Sequence, residues 1–262
     1  MNLIRKIVLK TLKTFNRDIT INHHHTKNKL YLNLYKHKGY WYYAKNRELD
    51  TINSFNKLIQ PGNYVIEVGG HIGYMSLILA DLIKDNGYLT VFEPGINNLP
   101  YIKKNTSSNP LIEIIEKGAG NENMTTSFFI EDLTGQNNSF LKDYSVFDEN
   151  NKNALNNATK RKVEVEMVKL DDFVFIEKNK VPNFIKIDVE GFEYQVLQGS
   201  KKIIENCSTI FMVEVTMHHK NIYTLFNENN YNILNDKLEI IDNPEKFEAD
   251  KYSNRFFIPK TK

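Results

Sequence analysis

Val65-Ile66-Glu67-Val68-Gly69-Gly70-His71-Ile72-Gly73 is the stretch that decides the fold. The apolar run Val65, Ile66 and Val68 suits a strand covered on both faces. It breaks into a glycine-rich turn, where glycine permits conformations and close approaches that a side chain would block. Met75, Leu77, Ile78, Ala80, Leu82 and Ile83 follow with the pattern of a helix packed on a sheet. Such a turn offers backbone N–H groups beside a helix N-terminus, a place for a nucleotide-type ligand. The dinucleotide fingerprint is G-x-G-x-x-G; here the turn reads Gly-Gly-His-Ile-Gly, with Glu67 two residues ahead of the first glycine.

Working outward, Tyr88-Leu89-Thr90-Val91-Phe92 predicts a second strand ending in Glu93-Pro94. Glu93 lies about 20 residues past the turn, where nucleotide-binding βαβ units place an acid on the ribose hydroxyls. A carboxylate can accept from two adjacent O–H donors at once. Phe184-Ile185-Lys186-Ile187-Asp188 predicts a third strand, followed by Glu190, Gly191 and a helical stretch at Tyr194-Gln195-Val196-Leu197. Ligands of open parallel sheets sit outside the carboxyl ends of the strands. Glu67, Glu93 and Asp188 therefore form one site. Ile210 to Val215 predicts a further buried strand that ends near Glu214, with His218 and His219 just beyond. A hairpin from about Tyr231 to Ile241 returns at Phe256-Phe257-Ile258. The fold expected is α/β: a doubly wound, mostly parallel sheet with an antiparallel C-terminal strand.

The pattern E-x-G-x-x-x-G from Glu67 to Gly73 resembles the first motif of S-adenosylmethionine (SAM) methyltransferases. Val-Gly-Gly-His-Ile-Gly-Tyr, Val-Phe-Glu-Pro, Val-Lys-Leu-Asp-Asp-Phe (168–173) and Phe-Ile-Lys-Ile-Asp-Val-Glu-Gly-Phe-Glu occur in that order, followed by Val196-Leu197-Gln198-Gly199. This order resembles the FkbM family of SAM-dependent methyltransferases, from roughly Leu58 to Pro259. The chain departs from the family pattern with Glu67 for Asp, Gly70 for Ala and His71 for Asn. The resemblance implies a Rossmann-like class I fold and SAM as cofactor. The cofactor positions are Glu67, Gly69, Gly70, His71, Gly73, Glu93 and Ala119. It also implies methylation of a hydroxyl on a saccharide or another small acceptor.

An alcohol must lose its proton during such a transfer, and a nearby base assists. Asp188 is the first candidate and His218 the second, since an imidazole titrates near neutrality. Glu190 and Glu214 can join Asp188 around a divalent cation, because hard cations take oxygen ligands. Two other readings stay open: an NAD-dependent or nucleotide-sugar oxidoreductase, and a SAM-binding docking protein without catalysis. The missing G-x-G-x-x-G weighs against the oxidoreductase. A nucleic-acid methyltransferase is disfavoured, because there is no Asn/Asp-Pro-Pro-Tyr motif and the net charge is only +2.

The 262 residues, 41% hydrophobic and 25% charged, suit one large α/β domain (58–262) preceded by an extension (1–57). The single cysteine, Cys207, excludes an internal disulfide and suits a reducing, cytoplasmic setting, as a packing residue. No apolar run has the length of a membrane span. From Met1 to Phe15, apolar residues recur at 3, 4, 7, 8, 12 and 15, with Arg5, Lys6, Lys10 and Lys13 on the other face. Such a helix docks on the domain or a second subunit, or lies at the inner face of a membrane. His23-His24-His25 reads as an exposed polar loop. Residues Lys29 to Tyr43 read as a short hairpin, and Glu48 to Ile59 as a helix stopped by Pro61-Gly62. Between Gly118 and Lys162 the chain turns polar. Thr126 to Ile130 reads as a strand, Thr134 to Ser139 as a loop, and Asp148 to Lys160 as an excursion over the ligand-binding edge.

Overall fold

The computed structural model describes residues 3–84, 86–142, 160–249 and 253–260. The chain opens with helix α1 (Leu3–Thr14) and an antiparallel hairpin, β1 (Asp18–Asn22) and β2 (Lys29–Asn33). Two helices, α2 (Lys38–Tyr43) and α3 (Leu49–Leu58), lead to β3 (Tyr64–Val68). Then follow α4 (Tyr74–Ile83), β4 (Tyr88–Phe92), α5 (Leu99–Thr106) and β5 (Ile112–Ile115). β6 (Gly118–Ala119), β7 (Met124–Glu131) and β8 (Lys160–Val168) make a separate three-stranded sheet in the order β6-β8-β7. The last strands are β9 (Phe184–Ile187), β10 (Ile210–Val215), β11 (Tyr231–Leu234) and β12 (Ser253–Pro259).

The central sheet runs β11-β12-β10-β9-β3-β4-β5. Its pairings are parallel except for β12, which pairs antiparallel with both β10 and β11. This is the doubly wound sheet with an antiparallel C-terminal strand that the sequence predicts. Alternation along the strands divides the core in two. Tyr64, Ile66, Val68, Ile185, Ile187, Phe211 and Val213 pack on one face, with Leu170, Phe173, Val196 and Leu197. Val65, Leu89, Val91, Phe184 and Met212 pack on the other, against Leu77, Ile78 and Ile102. Leu30, Leu32, Tyr40 and Phe55 belong to this second cluster, so the segment before β3 is built into the domain's own core. Asn105 of α5 pins the hairpin there: its Oδ1 accepts from Tyr31 N (2.6 Å), and its Nδ2 donates to Tyr31 O (2.9 Å) and Ile72 O (2.7 Å).

Several local expectations change. The hairpin pairs residues 18–22 with 29–33, and the aromatic stretch 38–43 is helical. His23 is buried rather than looped into solvent. Its ring lies tilted against Tyr74 (4.4 Å between centroids), and its Nε2–H donates to the Tyr74 carbonyl (3.2 Å). Desolvation pushes its pKa down to about 4. The stretch before Val168 is a nine-residue strand, β8, whose Val165 and Met167 are buried while Arg161, Lys162, Glu164 and Glu166 face solvent. The proposed 148–160 excursion lies outside the described residues, apart from Lys160.

Strand register also sets a charge inside the sheet. Glu67 and Lys186 are Cα partners across β3 and β9, both essentially fully buried, with Nζ to Oε1 at 3.5 Å. Lys186 Nζ also donates to Asp188 Oδ2 at 3.1 Å. Ser76 Oγ donates to Glu67 Oε2. Removing one partner of a buried pair strands the other charge, at a cost of ~3–5 kcal/mol. Lys186→Met should lower the unfolding free energy by about that amount in urea titrations, and adding Glu67→Leu should recover part of the loss. Equal instability of the single and double variants would show that charge compensation is not what Lys186 provides.

Candidate active site

The carboxyl ends of β3, β4, β9 and β10 open into one cavity, continuous with solvent. Its floor is the glycine turn. Gly69 has φ +90°, and a Cβ there would lie 1.9 Å from the Asp188 carbonyl oxygen. At Gly70 a Cβ would meet Val91 Cγ1 at 2.4 Å and Ile102 Cδ1 at 2.6 Å. The turn is thus pressed against β9 on one side and against β4 and α5 on the other.

Four of its amides are paired internally. Gly69 N and Gly70 N donate to Phe92 O (3.0 and 3.2 Å), Gly73 N to Gly70 O (2.8 Å), and His71 N to Glu93 Oε2 (2.6 Å). The sequence predicts free N–H groups at this turn; the structure gives these four amides internal acceptors instead. Gly73 caps α4 beside Ile102 and does not line the cavity.

Glu93 closes the turn from the end of β4. Besides His71 N, its carboxylate accepts from Gly95 N (2.8 Å) and Asn98 Nδ2 (3.3 Å). A carboxylate has about four lone-pair sites, so capacity for ligand hydroxyls remains. Burial drives its pKa up to about 7 against those hydrogen bonds. Gly118, Ala119, Phe92, Phe128 and Phe140 form the less polar wall beside it.

His71, the departure from the family pattern, bridges three segments. It takes a left-handed conformation (φ 48°). Its Nδ1 accepts from Tyr40 Oη (2.8 Å), and its Nε2–H donates to Thr134 O (3.2 Å). Desolvation, then the nearby His37, hold it well below the usual imidazole range, so it is neutral. The Asn-rich loop is bonded rather than free: the Glu131 carboxylate accepts from Leu133 N (2.6 Å) and Thr134 N (3.0 Å), and Asn98 Nδ2 donates to Gly135 O (3.0 Å). Gly135, Gln136 and Asn138 line the cavity from this loop.

Asp188 stands at the opposite end. Burial raises its carboxyl, but Lys186 and a hydrogen bond with Glu214 outweigh that and hold it below the ordinary value. Glu214 moves well above its ordinary value, first because of Asp188 and then through burial and Glu190. Ligand atoms of Asp188, Glu190 and Glu214 lie within 4.8 Å of one another. His218 is not brought to this group. It is exposed, with its ring 5.4 Å from that of Tyr194, and does not line the cavity. The α-helical stretch from His219 turns it outward.

Tyr40, Arg47 and Glu48 complete the wall and escaped the sequence reading. Arg47 sits 4.3 Å over the Tyr40 ring and pairs with Glu48 at 3.2 Å. Only the aromatic richness of residues 31–43 hinted at a packed surface there. Glu193 also escaped it. Fully buried, it accepts from Gly191 N (2.8 Å) and Thr216 Oγ1 (2.9 Å) and fixes the turn after Asp188.

Residues 67–233 match the methyltransferase FkbM domain model, well over half of the chain. This chain belongs to the FkbM methyltransferase family. No curated protein matches it. Among solved structures, it is similar to methyltransferase FkbM from Methylobacillus flagellatus (15% identity, TM-score 0.48, 79% of this chain). The chain spans 50% of the length of that protein. It is also similar to a SAM-dependent O-methyltransferase from Thermotoga maritima (11%, TM-score 0.43, 82% of this chain and 66% of that one). A third is Aeropyrum pernix fibrillarin in complex with SAM (9%, TM-score 0.38, 76% and 67%).

The methyltransferase site carries a pH signature. Burial places Glu93 and Glu193 at about 7 in the folded chain, against 4.5 as the ordinary value. A carboxyl raised by folding contributes stability that is full below its unfolded value and lost as pH rises through the folded one. The ligand-free protein should therefore lose unfolding free energy between pH 5 and pH 8, on the order of 2 kcal/mol per group. Glu193→Gln should flatten its share of that slope in urea titrations at several pH values. An unchanged slope would mean that Glu193 titrates normally.

Proposed function

We propose that this FkbM methyltransferase transfers the methyl group of SAM to a hydroxyl oxygen of a neutral, polyhydroxylated acceptor such as a saccharide. The observation that carries the reading is the combination of a glycine turn with four internally paired amides and an acid-lined cavity. Glu48, Glu67, Glu93, Asp188, Glu190 and Glu214 line it against two cations, Arg47 and Lys186. A dinucleotide pyrophosphate needs free N–H donors and meets none at the four paired amides; a sulfonium cation suits the acidic lining. The same lining repels anionic acceptors and offers hydrogen-bond acceptors to hydroxyl groups.

SAM, when bound, supplies a methyl already activated by its positive sulfur. Glu93 would hold the ribose hydroxyls with its remaining lone pairs, and the slot beside Gly118, Ala119 and Phe92 would take the adenine. Asp188 is the base. Lys186 keeps it ionised, and its place at the strand end lets it take the acceptor's hydroxyl proton. Glu214 shares a hydrogen bond with Asp188 and restrains its position. Tyr40, Gln136 and Asn138 line the cavity with Asp188 and limit the access of water. Lys186 already neutralises part of the acidic cluster, so the reaction we propose proceeds without a divalent cation.

Calorimetry with SAM and with NAD(H) tests the cofactor first; SAM should saturate and NAD(H) should not bind. Binding of NAD(H) alone would reverse the assignment. Asp188→Asn should lower turnover on a hydroxylated acceptor by ~10²–10⁴-fold while SAM affinity stays within a few fold. Equal losses in both would make Asp188 a cofactor contact instead. Activity surviving a chelator would support the metal-free reading, and loss restored by Mg²⁺ would end it. SAM binding without turnover on a broad panel of hydroxylated acceptors would favour a docking role.

A further inference from the structure

Residues 1–17 carry five basic side chains (Arg5, Lys6, Lys10, Lys13 and Arg17) and no acidic one. Within α1 and its last turn, Ile7, Val8 and Phe15 are 57%, 49% and 69% exposed. Lys10, Lys13 and Arg17 are exposed as well. At 100° per residue, Ile7, Val8, Thr11 and Phe15 share one side of the helix, while Lys10 and Lys13 fall on the other. The helix therefore does not bury this apolar side on the domain, although Leu30 and Leu32 of the hairpin that follows it are buried in the core.

Three occupants fit an exposed apolar stripe: a second copy, a protein groove or a lipid interface. Two copies of a helix with only positive charges would bring like charges together, which disfavours self-pairing. Twelve residues rise about 18 Å, too short to cross a bilayer but suited to lying in its interface. Consistently, no helix among the described residues is long and apolar enough to span a membrane. An apolar side flanked by lysines, without a single acid, complements an anionic lipid surface in both respects.

We infer that α1 is an interfacial anchor that seats the protein on anionic membranes through Ile7, Val8 and Phe15, with Lys10 and Lys13 on the lipid headgroups. This holds whatever the acceptor is, since it rests on α1 alone. Because β1–β2 ties α1's neighbour to α5 and the glycine turn, the anchor keeps the cavity close to the bilayer.

Flotation of the full chain with phosphatidylcholine vesicles, alone or with about one-third phosphatidylglycerol, tests this directly. The protein should float with the anionic vesicles only, and release as salt is raised. Lys10→Glu/Lys13→Glu should weaken binding by at least about tenfold. Ile7→Asn/Phe15→Asn, at unchanged charge, should do the same. Thermal melting of both variants should match the parent. No flotation with anionic vesicles would overturn the inference. So would undiminished binding of the Asn variant, or a dimer in light scattering that the Asn substitutions abolish.

Discussion

The site depends on the ammonium group of Lys186. It lies inside the sheet, opposite Glu67 and two residues before Asp188, and it contacts both carboxylates. Burial pushes its pKa down, but Asp188 and Glu67 outweigh that and hold it above the ordinary lysine value. One cation between two acids leaves a net negative charge beside the cavity. Asp188 keeps that charge, and Glu214 is driven toward its protonated form. Register and chemistry are therefore one constraint. A slip of one residue between β3 and β9 would move Lys186 to the opposite face and leave Glu67 buried without a counter-charge.

What could be read from the sequence follows from which signals are local. The apolar runs at 64–68, 88–92, 184–187 and 210–215 announce strands, and their acidic ends announce a shared edge, because parallel topology brings carboxyl ends together. Glu67, Gly69, Gly70, His71, Glu93, Ala119, Asp188, Glu190 and Glu214 do meet at one cavity. Proximity in sequence misled for His218: three residues past a strand end, it is carried outward by the helix that starts beside it. The period-two pattern of β8, Val163-Glu164-Val165-Glu166-Met167, was present but masked by the polar stretch around it. His23 looked like a loop residue because its partner, the Tyr74 carbonyl, is 51 residues away. Tyr40, Arg47 and Glu48 had no motif at all, since tertiary packing alone places them at the cavity.

His71 shows why a departure from a family pattern need not weaken a site. Asn tolerates the left-handed conformation there, and His is among the few other side chains enriched in it. The imidazole adds reach. One nitrogen takes the Tyr40 hydroxyl from the segment before β3, and the other holds Thr134 in the loop before β8. Both walls of the cavity are thereby fastened to the glycine turn. Through His71, Tyr40 from outside the family-matched span 67–233 is joined to the motif.

The charge of the cavity also bears on turnover. Methyl transfer from a sulfonium to an oxygen leaves a neutral thioether and hands a proton to the base. In the reaction proposed, the acidic lining would attract the charged cofactor before transfer, and afterwards that attraction would be gone, with Asp188 neutral beside a charged Lys186. The spent cofactor would carry no sulfonium charge for the remaining carboxylates to attract, so the lining would discriminate between fresh and spent cofactor. A cavity lined by arginines could bind a nucleotide as tightly but would bind the two forms in the opposite order of preference. The excess of acids over bases at these strand ends suits a methyl donor that carries its reactivity as positive charge.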